Sequence, residues 1–365
     1  MSLESGNLSY RMFYMRPGLP EDHLDKFARY ALPPIETLGS GDITGWVSGR
    51  HLLDRNITDE NAYLAGYLRL TLCKAERKIP PALLKAECKM EELAEMQARG
   101  ISFLKRKEKA EIKKQVVERL LPEMPPTLTG IDFVCEQNSE ILYATAISDK
   151  QMDAFSIQFK EATGIGLIPL TPFTVAAHER KVDLRDLAPT SFSPDCPDDT
   201  AEDQIGRDFL TWLWYFSEAC GGIASLDVGS ASVMIEGPLS FIFEGNGAHE
   251  TVLRKGMPVV SAEAKTALTC GKKLKRAKVT FACNENSWTT NLDADDFALR
   301  GTKLPQGENL DPVSRFQDRV LAMESLREII IGFYQRFLDE RLNKDEWQAV
   351  RADIHKWVSN RKTRV

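Results

Sequence analysis

Along this chain the spacing of apolar side chains changes period often enough to mark out elements before any other property is consulted. Residues 68–73 alternate apolar and polar positions with the two-residue period of a pleated strand. Two helical runs follow, 82–99 and 105–121. Pro80 and Pro81 separate them from the strand, and Pro122, Pro125 and Pro126 stop them. In the second run Ile112, Val116, Val117, Leu120 and Leu121 share one broad face at about 100° per residue. One or two turns earlier the same sector holds Lys105, Arg106, Lys109 and Lys113. A face that is apolar at one end and cationic at the other predicts a helical hairpin projecting from the body, anchored by Leu120 and Leu121.

Upstream, the mixed aromatic and apolar run 8–15 reads as a first strand, and Glu21 and Asp22 open a helix to about residue 30. A glycine-punctuated segment around Trp46, 43–51, precedes residues 61–73, which lead into the hairpin. Downstream, 130–134 and 141–147 flank Gln137, Asn138 and Ser139 as an antiparallel pair. Asp149 then caps a helix carrying Met152, Phe155 and Phe159, closed by Gly164, and 165–170 returns as a strand. Residues 181–203, with Pro189, Pro194 and Pro197 among Ser, Thr and Asp, read as a linker.

Beyond it an aromatic helix begins at 209–216, a second hairpin pairs 232–235 with 239–243, and 261–270 is a short helix. Strands 279–283 and 288–292 precede a helix over 312–342, in which Val313, Phe316, Val320, Met323, Ile330, Phe333 and Phe337 recur at three and four. Trp347, Ile354 and Trp357 continue it after Asn343. Runs of strand, strand, helix, strand predict an α+β fold of antiparallel sheet units with helices and a protruding helical hairpin. The expected divisions are an N-terminal body (1–73), the basic hairpin (74–126), a central unit (127–188), a linker with an inserted aromatic subdomain (189–250) and a C-terminal unit (251–365).

The chain has 365 residues and a net charge of -6, so a polyanion must be met through a local patch while the rest repels it. Lys74, Arg77 and Lys78 stand at the root of the hairpin, and Lys105, Arg106, Lys107, Lys109, Lys113 and Lys114 along it. A second cluster, Lys272, Lys273, Lys275 and Arg276, stands at a strand entrance. Phosphates neutralised by such side chains release condensed counterions, which predicts sequence-independent affinity that falls steeply with salt. The absence of aromatic residues beside the clusters points to backbone contact rather than base readout. The second cluster reads equally as lysines guarding an edge strand. No apolar run approaches the roughly 20 residues of a membrane span, and the N-terminus lacks the basic and apolar regions of a signal peptide. Seven scattered cysteines without a Cys-x-x-Cys pair predict reduced thiols and a cytosolic protein.

The chain carries no Walker-type phosphate loop, His-Glu-x-x-His or Gly-x-Ser-x-Gly motif, and its five histidines are dispersed. No catalytic residue, metal or cofactor is therefore expected. Two rival readings stand beside DNA binding. One is a metal-dependent nuclease using Asp293, Asp295 and Asp296. The other is an interaction scaffold with Trp212, Trp214 and Tyr215 as its exposed anchor.

Several stretches, taken in order and spacing, resemble the recombination-associated protein RdgC family. They are the first strand, the segment at Gly45, Trp46 and Val47, the junction at Lys78, Ile79 and Pro80, the basic run 104–109, the stop at Leu120, Leu121 and Pro122, and the hairpin at Ile131 and Asp132. The C-terminal third, from about Val252 through 293–297 and the last helix, is also similar. The resemblance covers most of the chain and implies a non-enzymatic DNA-binding protein of the bacterial nucleoid. It implies a two-fold homodimer closed into a ring around double- or single-stranded DNA, restraining RecA-driven strand exchange in the cytoplasm without a membrane partner. Carried over by position, Lys78, Lys105, Arg106, Lys109 and Lys113 match basic family positions and are implied to line the hole, whereas Lys107 and Lys114 rest on charge alone. Residues 189–247 are extra relative to shorter members. After Pro122, where the resemblance implies an aromatic hairpin tip, this chain has Met124, Pro125 and Pro126.

Overall fold

A single strand near the N-terminus joins both halves of the chain into one sheet. The computed structural model describes residues 3–39, 41–198, 204–243, 249–307 and 311–360. Its N-terminal half runs β1 (Leu8–Met15), α1 (His23–Arg29), β2 (Asp42–Ser48), α2 (Asp59–Ala62), β3 (Tyr63–Leu64) and β4 (Tyr67–Arg77). Helices α3 (Pro81–Arg99) and α4 (Arg106–Leu120) follow, then β5 (Pro126–Glu136), β6 (Ile141–Ala144), α5 (Asp149–Thr163), β7 (Leu167–Pro169) and α6 (Pro172–Val175). The C-terminal half begins with α7 (Ile205–Ala219), β8 (Ile223–Leu226), β9 (Gly229–Ile242), β10 (Glu250–Leu253) and α8 (Ala262–Thr269). It ends with β11 (Lys273–Cys283), β12 (Asn286–Asp293), β13 (Leu299–Lys303), α9 (Pro312–Leu342) and α10 (Lys344–Ser359).

The thirteen strands form an α+β protein's antiparallel sheet in the order β10-β9-β11-β12-β13-β1-β6-β5-β4-β2, with β3 on β4, β7 on β1 and β8 on β9. In β1, Leu8 and Tyr10 pair with β13 while Arg11 to Tyr14 pair with β6. The strand is apolar on both faces because each face covers a different core. Leu8, Tyr10, Met12 and Tyr14 join the larger core with α7, α9 and α10; Phe13 and Met15 join a second with α1 and α5. A strand buried on both sides loses the alternation that marks a half-exposed one. In the second core Trp46 is packed edge-on against Phe27 (4.9 Å) and Phe133 (5.6 Å). Arg11, also buried, joins Asp149 at the start of α5 (3.1 Å) to Asp296 (2.5 Å) across the sheet.

Several boundaries differ from the sequence reading. The helix α5 is capped by Ser148, whose hydroxyl accepts the Gln151 N–H, one residue before Asp149. The stretch 74–77 does not leave the strand: β4 runs to Arg77 and pairs with β5 along its whole length, from Tyr67 opposite Glu136 to Arg77 opposite Pro126. Residues 232–242 lie in one strand, β9, rather than in a hairpin. Glu236, Gly237 and Pro238 lie where its register with β11 shifts, so the glycine and proline are taken up as a bulge. The expected linker 181–203 is packed where described: Phe192 lies edge-on to Trp347, whose indole N–H donates to Thr190. Within 189–250, α7 supplies core residues and β9 pairs with β8, β10 and β11; 199–203 and 244–248 lie outside the described residues. The physical reason is area. Phe209, Trp212, Leu213, Trp214 and Phe216 are too large an apolar face to stand outside the core.

Lys265 of α8 carries an electrostatic cost in that core. Its Nζ lies 2.8 Å from the Trp357 ring centre and 4.7 Å from that of Trp214, and 3.6 Å from Glu218, too far for a hydrogen bond. Burial pushes its pKa down to about 7, against the opposing pull of Glu218. The unfolded chain, with an ordinary lysine near 10.4, therefore binds the extra proton between about pH 7 and pH 10. Through this group stability rises with pH across that window, and below it the full cost remains. Lys265→Met is expected to stabilise the protein at pH 7 by about 1–3 kcal/mol and to flatten the rise. Thermal midpoints of both proteins at pH 7 and pH 9 measure it; equal midpoint shifts with pH would show that Lys265 is not the group.

Candidate nucleic-acid interface

The hairpin α3–α4 is inserted at the far end of the β4–β5 ribbon. At about 1.5 Å per residue its arms reach roughly 28 and 22 Å. Pro81 fits the first turn of α3, where its missing N–H costs nothing. At the other end Gly100 takes φ +65, and the Ile101 N–H donates to the Met96 carbonyl, 3.0 Å, turning the chain sharply. The α4 face towards the root buries Val116 and Leu120, as the pattern of apolar positions predicted.

The seam between the arms is ionic. Glu87, Glu91, Glu92 and Glu95 lie along α3. Arg119 reaches Glu87 (3.1 Å) and Glu91 (3.0 Å), Lys109 reaches Glu92 (3.7 Å), and Arg99 reaches both Glu95 and Glu108 (2.6 Å each). Part of the positive charge read along the second helix is thus neutralised inside the hairpin. Lys109 and Arg119 hold the arms together. Lys105, Arg106, Lys107 and Lys113 are exposed and make no ion pair among the described residues, and Lys114 stands 4.0 Å from Glu118. On a helix Arg106 and Lys113 project within about 20° of one another, and so do Lys107 and Lys114 on the neighbouring side. The outer half of α4 therefore carries exposed positive charge over a broad surface.

The root cations differ. Lys74 is paired with Asp42 (3.0 Å) and Glu76 (3.6 Å), and Lys78 with Glu76 (2.5 Å). Hydrogen bonding from Lys78, with Lys74 beside it, holds the Glu76 carboxyl below its usual range. Arg77 donates to the Met124 carbonyl, closing the base of the hairpin.

The second cluster is placed elsewhere and in other company. Lys273 is buried against Asp208 at 2.6 Å, each side chain 3% exposed. Lys275 meets Asp295 (2.8 Å), Arg276 meets Asp293 (2.9 Å) and Lys272 donates to the Thr251 hydroxyl (2.7 Å). The strand β11 begins at Lys273, six residues before the expected start, so these side chains sit within a central strand. An edge-guarding role for them falls with that placement.

The same pairs account for the acidic trio. Asp295 also accepts two hydrogen bonds from Arg207 (2.7 and 2.9 Å), and Asp296 meets Arg11. Burial pushes the Asp293 carboxyl up; at Asp295 burial also raises it, but Arg207 and Lys275 outweigh that and hold it down. Among the described residues no three His, Cys, Asp or Glu side chains are placed to hold a metal ion. Trp212 and Trp214, read as an exposed anchor, are fully buried, and Tyr215 is half-buried against Trp357.

The sequence reading passed over Phe103. The hairpin's outer end is 100–105, not 124–126, which belong to its base. Phe103 stands there 74% exposed, beside a buried Leu104. The signal was present as Gly100 between two helical runs, a helix terminator that places the turn.

Residues 24–182 match a family model described as "Putative exonuclease, RdgC". A stretch of 155 residues is 28% identical to the recombination-associated protein RdgC of Pseudoalteromonas atlantica, covering 42% of this chain and 48% of that relative. The chain thus spans about half the length of the relative it matches. The matched span contains the whole hairpin and the second core apart from Phe13 and Met15 of β1, and it ends before α7.

Proposed function

We propose, on the premise that this is an RdgC-like protein, that it binds DNA without sequence preference through the outer face of α4 and takes part in homologous recombination. The observation that carries this reading is the set of four exposed cations, Lys105, Arg106, Lys107 and Lys113, that make no ion pair among the described residues of an otherwise acidic chain. A broad cationic surface on a protruding arm is suited to phosphates spaced along a backbone, while the acidic remainder keeps other surfaces off the DNA. The protein acts as a non-enzymatic homodimer that encircles or coats double- and single-stranded DNA in the cytoplasmic nucleoid, and by occupying DNA it restrains RecA-driven strand exchange. Against the nuclease alternative weighs the pairing of Asp293, Asp295 and Asp296, each with a cation.

The test is binding to a labelled random duplex across salt concentrations, with the protein's mass in solution recorded alongside. A dimer whose log affinity falls with log salt at a slope of about -3 to -4, as expected for three to four phosphate contacts, supports the reading. No binding at low salt overturns it.

A further inference from the structure

The α3–α4 turn is built to hold one aromatic side chain out in solvent. Gly100 in the left-handed region ends α3, Leu104 is buried, and the Lys105 N–H donates to the Glu108 carboxylate at 2.7 Å. With Leu104 turned inward, Phe103 is turned outward. Its 74% exposure is the largest of any large apolar residue described. Directly behind it stand Lys105, Arg106 and Lys107.

An exposed ring on a protruding tip invites either a protein or a base. Charge decides between them. In a two-fold contact between copies each tip would bring its three cations against the other's, while Glu95 and Glu108 nearby are already engaged with Arg99. A single-stranded nucleic acid presents the complement of this surface: an apolar base face for the ring and phosphates on either side for the cations. The α4 terminus itself is occupied by Glu108, so the anion contacts fall to the side chains.

From this geometry we infer that the hairpin tip is a base-stacking site for single-stranded DNA, with Phe103 on an unpaired base and Lys105, Arg106 and Lys107 on the adjacent phosphates. The inference rests on the DNA-binding reading and adds to it a preference for unpaired strands. The backbone-only contact expected from sequence, for want of an aromatic beside the cations, is thereby replaced at the tip.

The experiment compares wild type, Phe103→Ala and Phe103→Trp on oligo(dT), on an abasic strand of equal length and on a duplex, at one salt concentration. Phe103→Ala is expected to weaken oligo(dT) binding by about 5- to 150-fold, Phe103→Trp to retain it, and all three proteins to bind the abasic strand and the duplex alike. Equal affinity of Phe103→Ala and wild type for oligo(dT), or an equal loss on the abasic strand, overturns the stacking role. A fall in solution mass of Phe103→Ala without a base-dependent loss overturns it in favour of a self-contact. If wild type binds none of the three ligands at low salt, the DNA-binding reading itself fails; if wild type binds them and Phe103→Ala does so equally, only the stacking site does.

Discussion

Reversing charge at Arg106, Lys107 and Lys113 together is expected to weaken binding to a random duplex by roughly 10²- to 10³-fold at about 0.1 M salt, and to lower the log–log salt slope by about 3. Each phosphate contact contributes about 0.9 to that slope on B-form DNA, which sets the size of the change when three are lost. The three side chains are exposed and unpaired among the described residues, so their loss leaves folding untouched, and the thermal midpoint should stay within a degree or two of wild type. Lys109 supplies the internal contrast. It is as basic as its neighbours in sequence, yet it faces Glu92 across the hairpin seam. Lys109→Ala should therefore alter affinity little and loosen the hairpin instead. A triple variant that binds as wild type does would remove the outer face of α4 as the DNA surface.

Lys273→Ala is expected to destabilise the protein by about 3–5 kcal/mol, the cost of removing one partner of a buried ion pair. The ammonium of Lys273 and the carboxylate of Asp208 lie 2.6 Å apart with each side chain 3% exposed, between β11 and α7. Removing either partner takes from the other its counter-charge at that distance. Replacing both by apolar residues of similar size, Lys273→Met with Asp208→Leu, should recover much of the loss, because two desolvation penalties vanish together. Denaturant unfolding of the two single variants and the double variant measures this directly. The salt slope of DNA binding, read at a temperature where Lys273→Ala remains folded, should not change. A slope reduced by about 1 with stability intact would return Lys273 to the phosphate-contacting set.

These two outcomes divide the basic residues in a way their spacing along the chain does not. Lys105, Arg106, Lys107 and Lys113 lie on a helix whose apolar sector, read from the 3.6-residue period, gives way to cations towards the hairpin's outer end, and they stand exposed there. Lys272, Lys273, Lys275 and Arg276 form an equally dense run, but their partners, Thr251, Asp208, Asp295 and Asp293, are 15 to 65 residues or so distant in sequence and reach them only through the sheet. The carboxylates have the same history. Read alone, Asp293, Asp295 and Asp296 resemble a metal-binding turn; folded, they receive Arg276, Arg207, Lys275 and Arg11.

What the sequence by itself determined is local. The strand 8–15, the two arms of the hairpin, the capping glycine at 164 and the 31-residue helix Pro312–Leu342 follow from periodicity and from the conformational limits of glycine and proline. The α+β class follows from their order. What only the tertiary structure decided is pairing: that β1 ties two half-sheets together, that the aromatic run 209–216 is core rather than surface, and which cations find carboxylates. Periodicity reports which face of an element is apolar, but not what covers it. A charge is neutralised by whatever lies within about 4 Å, and that distance is set by the packing of elements far apart along the chain.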